Sequence, residues 1–176
     1  MPVNSRDVLL LSVVAYHKQD GFQRLIPFAT KTSSVSLRLI EYFVTRYCAK
    51  HSVCLTVDGE TVDVNASYKT HLKAHSKDNF DPFRRNDRVD VVYGHDKDGG
   101  RLVVETTVGQ MNFFRWVFKH HVLEYIASNA HKIQAELDSE KRGGSDATTT
   151  RKGSAQAAKA VVFRTRSHVP ASLRFE

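Results

Sequence analysis

Hydrophobic positions recur at two periods along this chain, and the densest apolar run, residues 101–137, passes from one period to the other. It opens as RLVVETTV, rich in β-branched residues that suit a pleated strand. It then becomes QMNFFRWVFKHHVLEYIASNAHKIQAEL, in which Met111, Phe114, Val117 and Phe118 repeat at helical spacing. Phe113 and Trp116 widen that stripe until little of the helix is left for solvent. Thr107 and Gln110, three apart and just ahead of the run, read as a capping box. The pattern predicts a strand feeding a buried helix, and so the centre of a core.

The rest of the chain supplies elements to surround it. Leu9, Leu10, Val13, Val14 and His17 fit a helical stripe with Ser5 as a cap. The β-branched pairs of residues 7–16 would also suit a strand, and helix is the reading taken. Gly21 breaks this segment, and a short turn follows before Pro27. Leu37, Ile40, Val44 and Tyr47 predict an amphipathic helix, with Ser33 and Ser34 offering caps. Residues 51–57 and 61–64 read as a hairpin across Asp58-Gly59, a favoured two-residue turn. A helix through Leu72 and His75 follows, ended by Asp81-Pro82. Residues 89–93 and 101–106 form a second hairpin around a polar turn. Beyond a bend at His120-His121, Leu123, Ile126, Ala130, Ile133 and Leu137 predict a further helix.

Charge changes the picture at the C-terminal end. Of the net +7, residues 139–176 hold eight Lys and Arg against three acids, whereas residues 1–138 hold 18 against 16. Composition there collapses to Gly, Ser, Thr, Ala and basic residues. Residues 139–160 therefore read as a disordered basic linker. Residues 161–176 regain apolar character and read as a docking arm carrying Val161, Val162, Phe163, Arg164, Arg166, Leu173 and Phe175. A body over residues 5–138 completes the organisation. A hydrophobic fraction of 41% with ten Phe excludes a wholly disordered chain. No run approaches the roughly 20 apolar residues of a membrane span, and no secretory signal is expected. Two cysteines are too few for a disulfide framework and read as reduced thiols.

Candidate chemistry is sparse. His71 and His75 have the i, i+4 spacing of helix-borne metal ligands, but Leu72 stands where a zinc protease needs glutamate. No nucleophile elbow, P-loop or dinucleotide turn occurs. The expectation is a non-enzyme without cofactor or metal. The strongest positive signal is basic. Lys69, Lys73 and Lys77 recur every four residues, a single stripe on a helix, and run into Arg84, Arg85 and Arg88 among Tyr68, Phe80 and Phe83. That mixture suits phosphate contact with some base stacking, or an ordinary solvated face. Arg115 and Lys119, with Asn112, line a polar strip on the central helix.

Three blocks, SLRLIEYFVTRY (36–47), YKTHLKAHSKDNFDPFRR (68–85) and TTVGQMNFFRWVFKHHVLEYI (106–126), resemble together an uncharacterised protein family of the nucleocytoplasmic large DNA viruses. The resemblance covers roughly residues 35–137 and not the tail. It implies a virus-encoded protein made in host cytoplasm or a viral factory, with a virion-associated, capsid-interior or genome-associated role.

The combined expectation is a mostly helical α+β single domain with two short β-hairpins and a flexible basic C-terminal tail. Its function would be that of a viral structural or minor capsid component of the virion, contacting other viral structural proteins or itself. The alternative is a nucleic-acid-binding protein, with DNA held by the basic surface and the tail. A structural protein should lose assembly when residues 139–176 are removed.

Overall fold

Thr107 ends one element and begins the next, and that junction sets the architecture of the computed structural model, which describes residues 4–145, with side chains through Arg142. The strand β4 (Arg101–Thr107) runs directly into α6 (Val108–Lys119), whose Gln110 amide donates to Thr107 Oγ1 at 3.0 Å. Nine of the twelve α6 residues are buried, among them Met111, Phe113, Phe114, Trp116, Val117 and Phe118. A helix buried on nearly every side must be wrapped. Packed on it are α1 (Ser5–Lys18), α5 (Val64–Asn79), α7 (Val122–Ser145) and β4 itself, and the Phe28 ring stacks on Phe114.

The domain is mostly helical with two antiparallel hairpins, in agreement with the α+β expectation. Helix α1 is capped by Asn4 rather than Ser5 and presents Val13 and His17 to the core. A one-turn α2 (Ile26–Ala29) carries Pro27 in its first turn, where no amide donor is missed. Next, α3 (Leu37–Tyr42), a π-helical segment (Phe43–Tyr47) and α4 (Cys48–His51) run on continuously. Ser36, not Ser33 or Ser34, caps this helix, accepting from the Leu39 amide at 3.1 Å. The extra residue in the π turn is stabilised from outside: the Asn65 side-chain amide donates to the carbonyls of Val44 (2.7 Å) and Thr45 (3.2 Å).

His51 closes α4 instead of opening a strand, and Ser52 turns the chain in the left-handed region. Strands β1 (Cys54–Val57) and β2 (Glu60–Asp63) pair across Asp58 and Gly59, both at positive φ, as a mirror-image turn requires. Asp63 then caps α5. Ser76 (φ 61°, ψ 166°) breaks that helix one turn before its end. Strand β3 (Arg88–His95) pairs with β4, with an irregularity between Val92 and Gly94 that leaves Tyr93 outside the ladder. After α6, His120 and His121 (φ 54°) make the expected bend into α7. Helix α7 continues to Ser145, seven residues past the expected end of the body, so the start of the expected linker is helical. The remaining linker and the arm lie outside the described residues.

Long-range ion pairs fasten α7 to the earlier helix. Glu140 accepts from Tyr42 and Arg46, and Glu136 pairs with Lys50 and His51. Among the described residues no helix is long and apolar enough to cross a membrane.

Candidate functional site

The basic residues singled out from the sequence do not assemble into one surface. Lys69 and Lys73 are exposed on α5, but Lys77 lies beyond the Ser76 break, so the three share no continuous helical row. Arg84 pairs with Asp78 at 2.5 Å, and Arg88 pairs with Glu105 while donating to the Arg85 carbonyl. Arg115 is half-buried, donating to Ser12 Oγ (2.9 Å) and Asn112 Oδ1 (2.6 Å). Burial pulls its pKa down. Asn112 is buried and donates to the Asn79 carbonyl, so only Lys119 of the expected polar strip faces solvent, near the Tyr16 ring. The aromatics are equally committed. Phe80 is fully buried, and Tyr68 packs on Phe80, Phe113 and Trp116, leaving Phe83 as the exposed ring of the set.

What survives is a cleft of about 740 Å³ between α2, the 82–88 loop and β4. Lys31, Arg84, Arg85 and Arg88 line it with a single carboxylate, Glu105, beside Phe28, Phe83 and Val103. Arg84 Nε is buried there without a hydrogen-bond partner.

The histidines are packing residues. His71, His75 and His120 stack around Phe80 and Trp116 at centroid separations of 5.0–6.2 Å. Trp116 Nε1 donates to Ser67 Oγ, which lies 3.4 Å from His120 Nε2, and His120 Nδ1 donates back to the Trp116 carbonyl. That loop fixes the tautomer: the proton sits on Nδ1. Burial holds the pKa of both His75 and His120 below the ordinary value. Among the described residues, no group of three or more His, Cys, Asp or Glu side chains is placed to hold a metal ion.

A second groove went unrecognised in the sequence. It has a volume of about 940 Å³ and runs between α1 and β3. One wall is Leu10, Leu11, Val14, Ala15 and Lys18, the α1 face turned away from Val13 and His17. The other wall is seven consecutive β3 residues, from Val89 to His95. Residues of both parities line it, so the groove follows the edge of the strand rather than one face of the sheet. No backbone hydrogen bond joins that edge to any element but β4 among the described residues. Leu11 is 49% exposed and Val92 42%, with Val8 and Val103 close by these values. The α1 stripe was legible, but its second apolar face looked like part of one broad core stripe.

No solved structure matches the chain. An uncharacterized protein of Acanthamoeba polyphaga mimivirus is 27% identical to it over 109 residues, 60% of this chain and 42% of that protein. The chain thus spans less than half the length of that giant-virus relative. Residues 13–166 match a family model that begins midway along α1, takes in α2 through α7 and continues past the described body, and the chain belongs to this family of unknown function (DUF7197).

Proposed function

We propose that this protein is a non-enzymatic structural or virion-associated component that works through protein–protein contacts made at the α1–β3 groove. One observation carries the reading: an apolar wall with Leu11 half-exposed stands opposite an eight-residue strand whose outer edge has no backbone partner among the described residues. An open strand edge beside apolar surface is a template for another chain, and globular proteins ordinarily cover or charge such an edge. The relationship to a giant-virus protein gives that contact a setting, in the virion or in the host cytoplasm and viral factory during assembly.

The test is self-association. Sedimentation velocity on the full chain should show oligomers growing with concentration, and Leu11→Glu with Val92→Lys should hold the protein monomeric. Both side chains are already about half in water and lie outside the buried core, so the double variant should fold. Association that ignores these substitutions would sink the reading.

A second reading, nucleic-acid binding, draws on the Lys31–Arg84–Arg85–Arg88 cleft. Phosphate contact there would make affinity fall steeply with salt. Arg84→Ala with Arg85→Ala would then weaken binding about equally on all sequences. The pairing of Arg84 with Asp78 and of Arg88 with Glu105 makes this the weaker alternative.

A further inference from the structure

We infer that in the free protein the α1–β3 groove is filled by the chain's own residues 161–166, which add a strand to the outer edge of β3. The inference rests on the reading of that groove as a contact surface, and names its occupant.

Four observations converge on this segment. The first is alternation. In Val161-Val162-Phe163-Arg164-Thr165-Arg166, one parity is Val, Phe, Thr and the other Val, Arg, Arg. The lip of the groove alternates in the same way, with Val91 buried toward the core and Asp90 and Val92 exposed. A strand with Val161 and Phe163 turned to the α1 wall sends Val162, Arg164 and Arg166 to the outward face, because side chains alternate along a strand.

The second is charge. On that outward face Asp90 stands directly opposite Glu105 in the ladder, two like charges across one rung. Arg88 satisfies Glu105, and no ion pair reaches Asp90 among the described residues. An added strand carrying Arg164 or Arg166 supplies the missing cation.

Reach is the third. Residues 146–160 are 15 residues, able to extend about 50 Å. A body of this size has a radius of gyration of about 14 Å. The linker therefore reaches any point on the domain, and tethering gives the arm an effective concentration in the millimolar range, far above that of a second copy in dilute solution. Fourth, the family match runs beyond the last described helix and stops at residue 166, the last residue of this segment.

The test keeps the full chain. Amide exchange of residues 88–95 is compared between wild type and Val161→Asp with Phe163→Asp. The substitutions lie outside the described residues, and the β1–β2 hairpin serves as the internal control for folding of the body. Exchange of alternate β3 amides should quicken at least tenfold in the variant while the β1–β2 hairpin is unchanged; equal exchange overturns the inference. Bis-maleimide crosslinking of Leu11→Cys to Phe163→Cys in a Cys54→Ser background, at about 1 μM so that the millimolar tether dominates, should give monomers. Covalent dimers, or no product, would equally overturn own-chain occupancy. If this test fails while Leu11→Glu with Val92→Lys still abolishes self-association at high concentration, the functional reading stands and only the occupant is wrong. If crosslinking succeeds but the chain never associates, the functional reading falls instead.

Discussion

His17 Nε2 lies 2.8 Å from the carbonyl oxygen of Met111, joining α1 to α6 across 94 positions of sequence. A carbonyl only accepts, so this nitrogen carries the ring proton. Nδ1 is then the acceptor, and it is buried without a partner. His17 is 1% exposed between Phe22 and Phe118, and burial draws its pKa below the ordinary 6.5, outweighing the opposing pull of the Met111 bond. The ring is neutral in the fold, and a second proton has nowhere to go.

Stability should therefore depend on pH in one direction. The unfolded chain binds more protons at His17, His75 and His120 than the folded one, so stability is fully present above pH about 6.5 and falls as pH drops. His17 alone contributes a slope of up to about 1.4 kcal/mol per pH unit. Urea denaturation between pH 8 and 5 measures this, and His17→Phe should flatten part of the slope. A pH-independent midpoint would contradict it.

Asn65→Leu should destabilise the domain by about 1–3 kcal/mol, because the Val44 and Thr45 carbonyls at the π turn lose the donor that satisfies them. The denaturant midpoint should shift without a change in slope.

Gly109→Ala should cost about 1–3 kcal/mol by overpacking. A Cβ there would sit 3.1 Å from the backbone carbonyl oxygens of both Asp78 and Asp81, and backbone cannot swing aside as a side-chain tip can. Thermal melting reads this directly.

Arg115→Ala should lower stability by about 1–2 kcal/mol and leave affinity for DNA unchanged. Its guanidinium links Ser12 on α1 to Asn112 on α6, and Asn112 holds the end of α5 through Asn79. Reduced DNA affinity without loss of stability would return Arg115 to the surface role its position in the sequence suggested.

Local signals in the sequence proved the most readable. Asp58-Gly59 specified its hairpin, Thr107 its helix start, and His120-His121 a bend, because each depends on a few neighbouring residues. Even there the capping box is half made: the Gln110 side chain accepts from Thr106 Oγ1 rather than reaching back to Thr107. What sequence spacing could not show was pairing at a distance. Lys69, Lys73 and Lys77 looked like one row because a regular helix was assumed through Ser76. Arg84, Arg88 and Arg115 looked like free cations because Asp78, Glu105 and Ser12 meet them only after folding. The α1–β3 groove was invisible for the same reason, since it exists only where residues about 80 positions apart come side by side.

The helix at the centre of the core, α6, lies late in the chain, and α1, which packs on it, lies first. During synthesis at about 5–20 residues per second, α1 waits some 5–20 s for its partner to be made. For that interval Val13 and His17 have no α6 to cover them. Helix α1 therefore stays adhesive until α6 is made, and pairing the two closes a long loop, a non-local step of the kind that slows folding.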